Sequence, residues 1–344
     1  MPKKTNVTIK DIAKKLGISF STVAKALKND PVVAEETRQK VQDTAHEMGY
    51  FPNLMASGLR SRSTRSIGVI LNDLENPTRS YIIKKISMEM VKHGFTPFIF
   101  DSAYDESIEQ QNILNLLSRM PECILISPVN RNFANMRLLD GVYNRTIILS
   151  KENKSIPTNY VHMDHSKGGY IATSTMLKMG HVKNLIIMEP PEYPSAVQFY
   201  EGVKQAYYDA GINLDEKYIS YGFPNLDGGA NAVINFYDKS KGEFKHEITG
   251  IIASNDLMAI GVYKASHTLG IHIPDDISVI GYDDLPIASL VTPQLSTLSY
   301  PKEKIAEYCT DIFLLKLLDD DPRLFKYTLE PDLIMRDSVR DISS

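Results

Sequence analysis

The sequence predicts an α/β protein in two parts: a head of three helices with a hinge behind it, and a two-lobed, doubly wound body. Three observations lead there. The segment from Thr8 to Leu27 (TIKDIAKKLGISFSTVAKAL) has the proportions of two short helices joined by a tight turn. From Ser66 onward, short apolar runs alternate with amphipathic stretches, the pattern of buried parallel strands connected by helices. Charge is also divided. Residues 1–65 carry twelve Lys/Arg against six Asp/Glu, a net of +6 that leaves −10 for the remainder of a chain whose total is −4. A basic head on an acidic body is the electrostatic footprint of a nucleic-acid reader with a separate second part. At 344 residues the chain is also longer than one core usually serves.

In the first helix Thr8 is placed to cap and Asp11 stands three residues on, in capping-box spacing. Ile9, Ile12, Ala13 and Leu16 share one face, and Gly17 suits the left-handed residue that ends a helix. Ser19 is placed to cap the second helix, on which Val23, Ala26 and Leu27 point inward. Phe20, Ser21, Thr22 and Lys25 then face outward near its N-terminus, where a recognition helix touches base edges. An ordinary helical hairpin would share this pattern. A third helix is expected over Glu35–Met48, stopped by Gly49, with Thr37, Val41, Ala45 and Met48 on one face. Ala34 stands where a capping side chain is favoured, which costs roughly 1 kcal/mol unless Asp30 or Asn29 compensates.

Behind the head comes Tyr50-Phe51-Pro52-Asn53, then LMASGLRSRSTRS. A segment this short, containing Gly58, is marginal as an isolated helix and is expected to order only against a partner. In the body, strands are expected at 66–71, 96–100, 123–127 and 146–150, with helices at Arg79–His93 and Ile108–Met120 between them. A second set is expected at 184–189, 218–223, 250–254 and 277–282. Two such units make two lobes, and ligands bind outside the carboxyl ends of their strands.

Some classes are disfavoured. Cys123 and Cys309 lie far apart in apolar surroundings and read as reduced, buried residues. MPKKTNVTIK lacks the apolar core of a signal peptide and no run approaches a membrane span, so a cytoplasmic protein is expected. No phosphate-binding loop, no G-x-S-x-G and no paired-cysteine motif occurs, and His162-x-Asp164-His165 matches no strong zinc pattern. Gly228-Gly229 reads as a helix opening. No catalytic residue, metal or cofactor is expected, and the chain is not read as an enzyme.

The strings TIKDIAKKLGIS, STVAKAL, EETRQKV, the GYFPN junction and ASGLRSRSTRSIGVI occur in an order that resembles the lactose-repressor (LacI/GalR) family of bacterial transcription regulators. The resemblance covers essentially the whole chain. It implies a helix-turn-helix domain at 1–52, a hinge helix and linker at 53–65, and a periplasmic-binding-protein-like effector and dimerisation domain at 66–344. The near lobe would be about 66–163 and 297–326, and the far lobe about 164–296 and 327–340. The chain would cross between lobes near Met163–His165, Leu295–Leu298 and Tyr327.

The same resemblance places DNA contacts at Thr8, Ser19, Phe20, Ser21, Thr22, Lys25 and Asn29 in the head, and at Asn53, Ala56, Leu59 and Arg60 in the hinge. There Leu59 would wedge between base pairs in the minor groove, Met55 and Ala56 would pack paired hinge helices, and Arg60 and Arg62 would meet phosphates. Ala24-Lys25 departs from the usual Ser-Arg, which puts the preferred operator in doubt because lysine lacks the guanine-matching fork. For effector contacts the resemblance points to Asn72, Asn76, Thr78, Ser127, Asp164, Ser195, Phe199, Phe223, Asn255, Asp283 and Tyr300. Clustered carboxylates and amides beside aromatic faces suit a sugar, although single residues such as Asp283 and Asp284 also fit turn chemistry. Phe199 stands where the family's R-x-x-G pattern has arginine. That leaves an uncharged sugar, a different effector or a protein partner, of which the first is favoured. The expected function is a homodimeric repressor of a palindromic operator in double-stranded DNA, controlled by a sugar or sugar derivative, with no membrane partner. The alternatives are a solute-binding or sensor protein with a non-functional reader, and a regulator governed by a partner protein.

Overall fold

The computed structural model describes residues 7–51 and 63–343. The chain divides into two compact units, Met1–Thr64 and Arg65–Ser344.

In the head, α1 (Ile9–Leu16), α2 (Phe20–Ala26) and α3 (Glu35–Glu47) close around Ile12, Val23, Ala26, Val33, Val41 and Ala45. The caps are local and legible. The Thr8 N–H and hydroxyl both donate to the Asp11 carboxylate, at 2.8 and 2.7 Å, and Gly17 ends α1 at φ 65°. The Ser19 hydroxyl oxygen accepts from the Thr22 N–H at 3.0 Å. Neither expected substitute caps α3 in place of Ala34. The Asp30 carboxylate accepts from the Val32 N–H, and the Asn29 carbonyl oxygen accepts from the Gln42 side-chain amide. The hinge residues Asn53, Met55, Ala56, Leu59, Arg60 and Arg62 lie outside the described residues.

The body's first sheet runs β13-β5-β4-β3-β1-β2, with every described pairing parallel. It is built from β1 (Ser66–Leu71), α4 (Pro77–Lys92), β2 (Thr96–Asp101), α5 (Glu106–Leu117), β3 (Cys123–Ile126), β4 (Thr146–Ile148) and β5 (Asn159–Met163). β1 is wholly buried, as its unbroken apolar run requires. β2 departs from expectation. It is the edge strand with Ile99 exposed, and the edge is where Pro97 costs no ladder bond. The helix expected from Arg79 starts at Pro77 because the Asn76 side chain caps it, accepting from the N–H groups of Thr78 and Arg79.

The second sheet runs β14-β12-β11-β10-β6-β7, parallel except where β14 meets β12. Its elements are α6 (His165–Lys178), β6 (Asn184–Met188), α7 (Pro194–Asp209), β7 (Ile219–Tyr221) and α8 (Leu226–Phe236). A small hairpin follows, β8 (Tyr237–Asp238) with β9 (Glu243–Phe244), and then β10 (Gly250–Ala253), α9 (Asp256–Leu269), β11 (Ser278–Asp283) and β12 (Ser296–Ser299). α10 (Lys302–Leu318) returns to the first lobe, packing with Ile305, Cys309 and Phe313 against α4, and β13 (Lys326–Leu329) joins the first sheet beside β5. β14 (Leu333–Ile334) then goes back to the second sheet. Two crossovers therefore lie later than expected, at Tyr300-Pro301 and after Leu329. β12 belongs to the second lobe and β13 to the first, because register with β11 and β5 decides membership there. Cys123 and Cys309 are free and buried, and burial pushes the Cys123 thiol up to about 12.

The face-to-face contact of α6 and α7 depends on two glycines. A Cβ on Gly169 would overlap the Phe199 carbonyl oxygen, and one on Gly202 the Ser166 carbonyl oxygen. This close approach fixes Phe199 at the far lobe's wall. Gly202→Ala is expected to force the helices apart and cost about 2–3 kcal/mol, measured as a loss of urea-unfolding free energy.

Candidate functional site

The carboxyl ends of the two sheets face a common cleft, as doubly wound folds place their ligand sites. It comprises two chambers with empty volumes of about 630 and 480 Å3, open to solvent. Asn72, Ser127 and His162 line the first. Asn76, Thr78, Glu189, Phe199, Asn255, Tyr282 and Asp283 line the second. Arg79, His165, Ser195 and Tyr300 line both. Asn72 follows β1, Ser127 follows β3, Glu189 follows β6, Asn255 lies two residues beyond β10, Asp283 ends β11 and Tyr300 follows β12.

Several walls hold polar atoms away from water without a protein partner. Asn255 spends its Oδ1 capping α9, accepting from the Met258 N–H at 2.8 Å, which leaves its buried Nδ2 unpaired. The Thr78 hydroxyl, 3% exposed, and the Tyr282 hydroxyl, 1% exposed, also have no hydrogen-bond partner. An unmet buried polar atom costs about 1–3 kcal/mol, and all three residues line the second chamber, which suits a polar ligand. Asp283 (φ 120°) and Asp284 (φ 49°) adopt strained backbone at the end of β11. Arg336 holds the turn, pairing with Asp284 at 2.6 Å and donating to the Leu295 carbonyl at 2.8 Å. Asp284 thus serves the turn, and Asp283 faces the cleft.

Two of the site's charged residues, Arg79 and Glu189, were not singled out by the sequence patterns. Arg79 donates to the Ser127 hydroxyl oxygen at 2.6 Å, and that hydroxyl donates to Asn72 Oδ1 at 3.1 Å. Glu189 accepts from the Ser195 hydroxyl, and burial raises its carboxyl above the usual range despite that bond. Burial likewise raises Asp283 well above its ordinary value. Burial, then Arg79, pushes His165 down to about 3, so its ring is neutral; it stacks on Tyr282 with centroids 5.6 Å apart. Arg79 lies three, four and seven residues before Ile82, Ile83 and Ile86, on the helix's apolar stripe, and that position is the signal that could have marked it as inward-facing. Glu189 reads in sequence as a strand's last residue.

Two expected cleft residues lie elsewhere. Asp164 is outside the walls of both chambers and caps α6, accepting from the Lys167 N–H at 2.9 Å. It is the residue that starts a helix after β5, and capping claims its carboxylate. Phe223 is half exposed and packs edge-on against Tyr104 at 5.3 Å, while Tyr104 stacks on Tyr193 at 4.6 Å, so these rings join the lobes beside the chambers. In the head, Phe20 (44% exposed), Ser21 and Lys25 face outward on α2 and Thr22 is half-buried. Thr8, Ser19 and Asn29 hold the head's own structure through the bonds described above.

Among the described residues no cluster of three or more His, Cys, Asp or Glu is arranged to hold a metal, and no helix is long and apolar enough to cross a membrane. The described residues form a helix-turn-helix head and, later in the chain, a two-lobed fold with a polar cleft. Residues 8–53 match the bacterial regulatory proteins of the lacI family, and residues 173–339 match the periplasmic binding protein-like domain. The chain is 29% identical over 304 residues to the HTH-type transcriptional regulator DegA of Bacillus subtilis, covering 87% of this chain and 88% of that one. It is 25% identical over 335 residues to the ribose operon repressor of Escherichia coli, covering 96% and 99%. A crystal structure of a LacI-family regulator from Silicibacter pomeroyi superposes with a TM-score of 0.84 at 22% identity, covering 97% and 99%, and shares the fold. The chain joins a lacI-family helix-turn-helix domain to a periplasmic binding protein-like domain, its relatives are LacI-family regulators, and it is a DNA-binding transcriptional regulator.

Asp256, outside the cleft, supplies a test of the far lobe's packing. Its carboxylate accepts from the Thr297 hydroxyl at 2.6 Å and the Leu285 N–H at 2.8 Å, and burial pushes it up to about 7. Between its ordinary value of 3.8 and about 7 the folded chain keeps a proton that the unfolded chain has released. Stability contributed by this group therefore falls as pH rises through that window. Asp256→Asn should escape this, gaining on the order of 2–4 kcal/mol relative to wild type between pH 4 and pH 7.5, measured by urea denaturation at each pH.

Proposed function

We propose that the chain works in the cytoplasm as a homodimeric repressor of a palindromic operator, released or engaged by a sugar or sugar derivative in the interlobe cleft. The observation that carries the cleft reading is that Asn255, Thr78 and Tyr282, each holding a buried polar atom without a partner, line one cavity. A ligand hydroxyl both donates and accepts, so it can satisfy each of these atoms. Phe199, Tyr282 and Tyr300 supply faces for a sugar ring, and Asn76, Asp283 and Ser195 stand within the same walls.

The head supports reading by α2. Phe20, Ser21, Thr22 and Lys25 would enter the major groove, while Thr8, Ser19 and Asn29 bring backbone and side-chain groups to phosphates. The hinge, with Asn53, Ala56, Leu59 and Arg60, would order in the minor groove against its dimer mate, Leu59 acting as the wedge. Ligand closure of the lobes would shift the near lobes of the dimer and bias whether paired hinges can form. Each domain has one task in this reading: 1–52 reads, 53–65 couples, and 66–344 binds the effector and dimerises.

A gel shift with the palindrome nearest the chain's own gene tests the reading. Specific binding is expected at moderate salt, and its absence would favour a solute-binding or sensor protein with an idle reader. Lys25→Ala should weaken operator binding about tenfold or more while leaving the melting temperature unchanged. Asn255→Ala should retain operator binding and lose the response to a cleft ligand. A response that survives this change would point to control by a protein partner.

A further inference from the structure

Arg79 holds the cleft's most consequential charge. It reaches both chambers from the first turn of α4, and one of its five N–H groups is engaged by Ser127. No carboxylate lies within 4.0 Å of it among the described residues. Glu189, Asp283 and Asp73 are the nearby acids. Asp73 accepts from the Glu75 and Asn76 N–H groups in its own turn, and the buried Glu189 and Asp283 can shed their charge by taking up a proton, the direction in which both are raised. A guanidinium cannot shed its charge. A recessed cation with no counter-charge in direct contact is costly, so the ligand is the natural source of one. Lys151 lines the first chamber, but in the second, where Phe199 stands edge-on to Tyr282 with centroids 6.1 Å apart, Arg79 is joined by no other lysine or arginine.

Resting on the cleft reading above, we propose that the ligand is a sugar acid whose carboxylate docks on Arg79 while its hydroxyls meet Asn255, Thr78 and Tyr282. A carboxylate presents two oxygens to the planar guanidinium fork, and Arg79 keeps free N–H groups to meet them. A phosphate dianion would bring two negative charges to a single guanidinium and leave one of them uncompensated in the closed cleft. A neutral sugar would leave the guanidinium uncompensated when the lobes close over it.

Titration calorimetry on the intact protein tests this with glucuronate, galacturonate and gluconate, their neutral counterparts glucose, galactose and glucitol, and glucose 6-phosphate. At least one acid is expected to bind about 100-fold tighter than its neutral counterpart. Arg79→Gln should erase that difference, and Arg79→Lys, which keeps the charge without the fork, should restore part of it. The proposal is overturned if a neutral sugar binds as tightly as its acid, if the phosphate binds tightest, if no acid binds, or if Arg79→Gln weakens an acid and its counterpart alike. The wild-type comparison between acid and neutral sugar stands even if an Arg79 variant fails to fold. A neutral sugar that binds and shifts operator affinity would remove the carboxylate and leave the effector-controlled repressor standing. Loss of operator binding itself would remove the repressor reading independently.

Discussion

Polar groups held out of water without partners are the constraint on which the body depends. Each costs roughly 1–3 kcal/mol while it waits, and the cleft holds three such atoms on Thr78, Asn255 and Tyr282. Rigid surroundings must keep those atoms from turning to find partners within the protein. The architecture provides them: Asn255 is pinned by capping α9, Thr78 stands in the first turn of the Asn76-capped α4, and Tyr282 is locked in a strand buried along its length. The α6–α7 pair, drawn together at Gly169 and Gly202, presses Phe199 against the same Tyr282. Preorganised polarity of this kind makes closure of the lobes depend on what fills the space between them.

Electrostatics sharpen that dependence. The Arg79 charge persists, whereas Glu189 and Asp283 can neutralise and His165 is already neutral. The lobes meet beside the chambers through the rings of Tyr104, Tyr193 and Phe223 and through the Arg131 N–H, which donates to the Glu192 carbonyl at 2.9 Å. This arrangement suits a regulator whose two conformations differ by little free energy, because a few contacts with the effector can then shift their populations.

The head was almost wholly legible in the sequence because its signals act over three or four residues. Thr8 with Asp11, Ser19 with Thr22, and Gly17 at φ 65° need no distant partner to do their work. Ala34 was also legible as a missing cap, but whether Asp30 or Asn29 would replace it was not. Each had a nearer partner, Val32 and Gln42, that only the folded turn brings within reach. In the body, the buried apolar strands β1, β3, β6, β10 and β11 announced themselves. β5, β12 and β13 did not, since NYVHM, STLS and KYTL lack an apolar run. Their misplacement moved two crossovers by a few residues.

By itself the sequence determined the reader, its caps, the alternation of strands and helices, and the strand-end residues from which a cleft is built, because periodicity and turn chemistry are properties of neighbouring residues. Only the tertiary structure decided which of those strand-end groups face the cleft. It turned Asp164 into a helix cap, moved Phe223 to the join between lobes, and brought Arg79 and Glu189 to the walls of one cavity from helix and strand ends more than a hundred residues apart. The physical reason is that the role of a polar side chain depends on which partner it meets first. Asp164 meets Lys167 and Glu189 meets Ser195 close by in sequence, whereas Phe223 and Arg79 meet Tyr104 and Ser127, which come from distant parts of the chain.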